Sequence, residues 1–387
     1  MSIIDLPLEV LDLIFKDLES QKDKLHLALV HPLLGKAFSY HSGNKYYSID
    51  SLCVPITQWP VILPLCGSTV IEFKGYLNDW DCSVLKLIEE HCSNLVKISL
   101  DVNQRNYNGV KSLLSRMRSP GSVEVGLDCR ACLGYREFLF EFNRLQKLSL
   151  KGCPKDEIYF LKKLINLEEL AVTPLSDSEH IDILGVCSAL HNLRSLTIAK
   201  MNVIIPKEFG VSPCPSLENL LVVHCHIPTV WPLFPKLKHL RIRHTPIATC
   251  QFLNQWVLQH SSTLERLELL YLDEPLQESD VLQVLQRCRK LQFFSIVLGD
   301  SNITETFVNS IMDILNENGF KPEKPFELKV FKLTKYAEVR KLLAKYPNTG
   351  FLKVTTDYPA NPYDWKPLDA RSAQGIRLHK PPIEDRT

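Results

Sequence analysis

The chain has 387 residues, 45% of them hydrophobic and 23% charged, with a formal net charge of +1. That length suffices for two globular domains or one extended repeat array, and the balanced charge gives no general attraction for nucleic acid or an anionic membrane surface. No apolar run approaches the roughly 18 residues of a spanning helix, and Met1-Ser-Ile-Ile-Asp-Leu-Pro lacks the cationic and then apolar order of a secretory signal. A soluble protein of the cytoplasm and/or nucleus is expected, with its twelve scattered cysteines reduced.

Residues 5–18 carry a helix-start signal: Asp5 as cap, Pro7 where a missing N–H costs little, and Glu9 near the positive helix end. Leu8, Leu11, Phe15 and Leu18 follow helical spacing, and Val10 and Ile14 add a second apolar edge, so the stripe is wide enough for two neighbours. A polar turn over 19–24 leads into a second helix through Leu25 and Val30, which Pro32 should end or interrupt. On these residues alone, an ordinary helical cap is a sufficient account. The segment nevertheless resembles an F-box, whose pattern runs Leu-Pro-x-Glu-x-Leu-x-x-Ile-Phe-x-x-Leu before a second helix ending near Val-Cys-x-x-Trp. Leu6, Pro7, Glu9, Leu11, Ile14, Phe15 and Leu18 match in register, and Val30 matches the second half. His31 stands where cysteine is usual and Leu34 where tryptophan is usual.

From Asn44 to Val354 one pattern returns, best seen in Leu145-Gln-Lys-Leu-Ser-Leu-Lys-Gly-Cys153. In L-x-x-L-x-L the last two leucines share one face of a strand, while the residues between them face the other way. Clear copies are Leu95/Ile98/Leu100, Leu145/Leu148/Leu150, Leu167/Leu170/Val172, Leu193/Leu196/Ile198, Leu217/Leu220/Val222, Leu237/Leu240/Ile242, Leu264/Leu267/Leu269 and Leu291/Phe294/Ile296. Weaker copies lie at Tyr47/Ile49, Ile71/Phe73, Val125/Leu127, Leu328/Val330 and Leu352/Val354. From Leu145 onward the step is 20 to 27 residues, the interval of leucine-rich repeats. A doubly wound sheet would instead show continuous apolar strands and longer units.

The expected fold is therefore α/β: over 1–45 the short three-helix F-box that the resemblance implies, a curved repeat solenoid over 46–355 with a parallel sheet on its concave face, and an extended or disordered tail over 356–387. Helices are expected over Asp81–Cys92 and Ser279–Cys288 on the convex side, whereas Val203–Pro215 and Ile227–Pro235 are proline-rich and should turn irregularly. In the tail, Tyr358, Tyr363 and Trp365 would let an extended segment dock.

Cys92 and Cys288 each precede a repeat's first leucine by three residues, and Cys153 and Cys225 each follow one by eight, so packing under a repeat turn is their expected role. Cys129-x-x-Cys132 and His224-Cys-His226 look like fragments of a zinc site but lack a second pair at a fitting spacing, so no metal or cofactor is expected. No nucleophile elbow, phosphate-binding glycine loop or His-Glu-x-x-His occurs, and no catalytic residue is assigned.

An F-box resemblance followed by such repeats is similar to the F-box and leucine-rich-repeat family, non-catalytic substrate receptors of cullin-based ubiquitin ligases. The resemblance implies that Leu6, Pro7, Leu11, Ile14 and Phe15 contact a Skp-type adaptor or support the helices that do. Through that adaptor the chain would join cullin and RING subunits, and its repeats would hold a protein substrate. The strand positions between the leucines form lateral rows: Ser149, Ala171, Thr197, Leu221, Arg241, Glu268 and Ser295, then Lys151, Thr173, Ala199, Val223, Arg243, Leu270 and Val297. Leu221, Val223, Leu270, Arg241 and Arg243 make an apolar and cationic patch suited to a protein substrate with an acidic or phosphorylated segment. An internal Arg241–Glu268 pair is the competing use of that arginine.

Overall fold

A computed structural model describes residues 2–51, 53–75, 82–116, 122–128, 139, 145–177, 179–205, 213–228, 231–246, 253–299, 303–331, 333–346 and 349–356. The tail from 357, with Tyr358, Tyr363 and Trp365, and the Cys129/Cys132 pair lie outside these residues.

The repeat leucines build one parallel sheet whose strand order follows the sequence. Its strands are β1 (Ser48–Asp50), β2 (Glu72–Gly75), β3 (Lys97–Val102), β4 (Ser122–Asp128), β5 (Lys147–Cys153), β6 (Glu169–Pro174), β8 (Ser195–Ala199), β10 (Asn219–Val223), β11 (His239–Arg243), β12 (Arg266–Leu270), β13 (Phe293–Ile296), β14 (Phe326–Val330) and β15 (Leu352–Thr355). Each strong and weak copy of the repeat supplies one of these strands. A two-residue pair, β7 (His180–Ile181) with β9 (Asn202–Val203), forms a small second sheet that carries no readable periodicity.

From β5 onward the register is continuous: Leu148, Leu170, Leu196, Leu220, Leu240, Leu267, Phe294, Leu328 and Val354 lie side by side. At β4 the ladder steps, because Leu100 lies against Val125 and Val125 against Leu148. The third apolar position of an early strand thus continues as the second position of the later ones. All but Val354, which is half-buried, lie with their apolar partners two residues on in one core that runs along the array. Burial at about 25 cal/mol per Å² of apolar surface makes this ladder the main stabilising contact between repeats.

The turn entering each strand also repeats. The carbonyls of Cys92, Leu164, Leu190, Cys214, Phe234 and Cys288 accept the N–H of Leu95, Leu167, Leu193, Leu217, Leu237 and Leu291 at 2.9 to 3.3 Å. Cys214 therefore shares the place found for Cys92 and Cys288. All of these cysteines, with Cys153 and Cys225, are buried. Burial pushes the Cys92, Cys225 and Cys288 thiols up to about 12, which leaves them protonated packing groups. Helices over Cys82–His91 and Glu278–Arg287 occur where the sequence placed them.

Ahead of the sheet stand α1 (Leu8–Asp17), α2 (Gln21–Val30) and α3 (Pro32–Ser42). Two details differ from the sequence reading. Asp5 does not cap α1; its carboxylate accepts the Ser2 N–H at 2.7 Å and closes a short 3₁₀ turn, and Pro7 takes the cap position with its carbonyl accepting from Val10 and Leu11. Pro32 starts α3 as well as ending α2, with the His31 ring nitrogen accepting the Leu33 N–H at 3.2 Å. α3 then packs on the helix Trp59–Cys66 of the first repeat. A Cβ at Gly35 would come within 2.9 Å of the Leu65 side-chain tip and 3.3 Å of the Ala28 carbonyl, so α3 packs closely there.

Candidate functional site

Two surfaces carry the residues that the sequence singled out. On the first, α1 turns Leu11 and Phe15 inward, where Phe15 meets the Phe38 ring edge-on at 5.8 Å and stacks on His41 at 5.8 Å. His41 is fixed by its Nδ1, 2.7 Å from Asp12 Oδ1, and by Lys24, whose Nζ lies 3.2 Å from Nε2. Leu34, standing where tryptophan is usual in the resembled pattern, fills the same core and is buried. The five adaptor candidates therefore separate by role. Leu11 and Phe15 are core, Leu6 and Ile14 are half-buried against it, and Pro7 is exposed.

The helices also expose apolar residues, of which the motif had marked Val30. Val10 and Leu13 sit one turn apart on α1, and Leu29, Val30 and Leu33 cluster in sequence at the α2–α3 junction. Leu13 is 57%, Leu29 61% and Val30 74% exposed. The sequence reading set Val10 on a second apolar edge with Ile14 and passed over Leu13, which helical spacing places one turn from Val10; nothing in the sequence tells that the α2–α3 junction turns outward.

The second surface is the open face of the sheet at β10, β11 and β12. Leu221, Val223 and Leu270 are buried there, which corrects the expectation of exposed apolar anchors: Ala199, Leu221 and Val223 pack on one another as a small cluster apart from the main core. The arginines do not face solvent alone either. Arg241 Nε lies 3.1 Å from Glu268 Oε1, and Arg243 Nη2 donates to Glu268 Oε2 at 3.0 Å. A third cation, Arg266, donates from Nε to Oε1 at 3.1 Å and lays its guanidinium over the Phe293 ring at 3.6 Å. Arg266 precedes its strand's second leucine and falls outside the two rows read from sequence. Burial pushes the Glu268 carboxyl up, but the three guanidiniums outweigh it and the net shift is down.

At the end of the same strands His224, His244 and Tyr271 form a stacked ladder, with ring centroids 4.5 and 4.4 Å apart and planes within 10°. All three adopt left-handed backbone, φ 50, 48 and 54°, as does Lys200 one repeat earlier at 56°. Burial pushes both histidines down, and neighbouring Lys200 and Arg243 add to it, which favours the neutral imidazoles at pH 7. His224 and His226 do not share a site with Cys225. The His224 ring is engaged by His244, and the Cys225 thiol donates to the Val223 carbonyl at 3.3 Å. Among the described residues no cluster of three or more histidine, cysteine or carboxylate side chains could hold a metal ion, and no helix is long and apolar enough to cross a membrane.

No protein-family model and no curated protein matches the sequence. Similar solved structures include an internalin (inlF) from Listeria monocytogenes, at 14% identity over 71% of this chain and 83% of that one, with a TM-score of 0.33. The mouse RP105/MD-1 complex is similar at 14% identity over 74% of this chain, also with a TM-score of 0.33. The chain spans 42% of the length of that mouse chain. Both are leucine-rich-repeat proteins.

Proposed function

We propose that this chain is the substrate-recognition subunit of a Skp/cullin/F-box ubiquitin ligase, docking a Skp-type adaptor on its N-terminal helices and a protein substrate on the open face of its repeats. The observation that carries this reading is the exposed apolar face of α1 and the α2–α3 junction. A helical unit whose only task was to close the end of a repeat core would turn a polar surface outward. Here Leu13, Leu29 and Val30 face solvent while Leu11 and Phe15 hold the helices from within, the arrangement of a helix pair awaiting a partner. The chain would contribute no chemistry of its own. Its part is to bring substrate lysines close to an enzyme recruited by the cullin, which raises their effective concentration.

The close packing of α3 at Gly35 on the first repeat favours a second reading, in which α1–α3 are a cap and the protein is a binding scaffold without ligase assembly. Co-expression with a Skp-type adaptor separates the two. Stoichiometric capture that is lost in a Leu13→Asp/Val30→Asp variant supports the receptor, and absence of capture by the intact folded chain leaves the scaffold. Cullin recruitment is then measured on the captured complex.

A further inference from the structure

Three guanidiniums share one carboxylate at the centre of the open face, and this arrangement is uneven in charge. Glu268 Oε1 takes Arg241 and Arg266, Oε2 takes Arg243, and the cluster keeps two positive charges beyond the carboxylate's one negative. Two other carboxylates of the sheet have lysine partners of their own, Glu218 with Lys238 at 2.9 Å and Glu327 with Lys353 at 3.6 Å. Each guanidinium has five N–H donors in a rigid fork; Glu268 accepts one hydrogen bond from Arg243 and one from Arg266, and Arg241 faces it as an ion pair. Arg243 Nε and the Ser295 hydroxyl are buried and meet no partner among the described protein groups. Arg243 and Arg266 remain 37% and 33% exposed along their side chains. Holding like charges together is costly, and a second anion on the solvent side would relieve it.

We propose that the Arg241/Arg243/Arg266 cluster is the reading head for an extended acidic segment of a partner polypeptide, with a residue next to its carboxylates packing on the His224/His244/Tyr271 ladder. Glu268 is the organiser in this arrangement: it orients the three forks and supplies too little charge to satisfy them. The ladder suits an apolar or aromatic neighbour because it presents stacked rings one residue beyond Val223, Arg243 and Leu270. Four consecutive repeats hold a non-glycine residue in left-handed backbone at this rim, a conformation that side chains adopt at a cost and that clusters where a surface is used.

This names the partner class for the open face and rests on the reading of that face as the binding surface. The test is selection of a random peptide library displayed on phage against the full chain, compared with Arg241→Gln/Arg243→Gln and, as a milder change at the rim, Arg243→Gln alone. Enriched peptides should carry paired aspartate or glutamate beside an apolar or aromatic residue. Their binding should fall at least about tenfold in the double variant and less in Arg243→Gln, which leaves Glu268 with Arg241 and Arg266 and should keep a melting temperature near that of the parent. Enrichment without acidic residues, equal binding by the variants, or no enrichment would overturn the proposal. So would selection of peptides matching residues 357–387, which would assign the surface to the chain's own tail. No adaptor is present in this selection. Acidic peptides without adaptor capture would remove only the ligase reading, and adaptor capture without acidic enrichment would remove only this one.

Discussion

At the scale of single residues, the motif at the N-terminus conflated two jobs that the fold separates. Phe15 is fully buried against Phe38 and His41, so Phe15→Ala should cost about 3–5 kcal/mol in urea unfolding through lost burial and a cavity. Leu13, two residues earlier and mostly exposed, should tolerate substitution within about 0.5 kcal/mol. A Leu13 variant as damaging as Phe15→Ala would show that the helices pack differently. Both residues are apolar in the sequence, but two positions apart they lie about 200° apart on the helix, so spacing already sets them on different faces. Which of those faces is buried is decided by where α3 packs, which depends on long-range contacts. The same limit applies on the open face. Arg241 and Arg243 were legible because they interrupt the leucine pattern, whereas Arg266, two residues before Glu268 on the same strand face, lies one position ahead of the two rows and was passed over. Leu221, Val223 and Leu270 were legible as apolar, but their burial on the open face was not, since alternation assigns a face and says nothing about what packs on it.

At the scale of elements, the strands were the most legible part. A buried leucine ladder imposes both the two-residue alternation and the repeat interval, so even weak copies such as Tyr47/Ile49 proved to be strands. The connections were less legible because each repeat solves its turn with different residues. One of them builds in a pH dependence. The Phe234 N–H donates to His260 Nε2 at 3.0 Å while Nδ1 sits 2.6 Å from the Trp256 carbonyl, which ties neighbouring repeats together through a neutral imidazole. Burial pushes this histidine below its ordinary 6.5, and protonating Nε2 would remove the Phe234 bond. The unfolded chain then binds the proton more readily, so this stability is present above about pH 6.5 and is lost as pH falls below it. His224, His239 and His244 are shifted the same way, by burial first, and add to the effect. The urea midpoint should therefore drop between about pH 7.5 and pH 5.5, and a flat profile would contradict this account of His260.

At the scale of the whole molecule, the α1–α3 unit faces two ways. Through Leu34, Ala37 and Phe38 it joins the core that includes Trp59 and Leu63 of the first repeat, so it closes one end of the array. Deleting residues 1–45 should uncover that end and yield an aggregating or strongly destabilised chain in size-exclusion chromatography. A monomeric deletion variant that melts like the parent would separate the helices from the repeats. Through Leu13, Leu29 and Val30 the same unit offers an apolar face to solvent, and the proposed function depends on that second role. The decisive measurement is calorimetric titration of a purified Skp-type adaptor into the full chain and into Leu13→Asp/Val30→Asp, with melting temperatures recorded for both. The account predicts one-to-one binding by the parent and at least about a hundredfold weaker binding by the variant at an unchanged melting temperature. No binding by the folded parent, or equal binding by the variant, would contradict it.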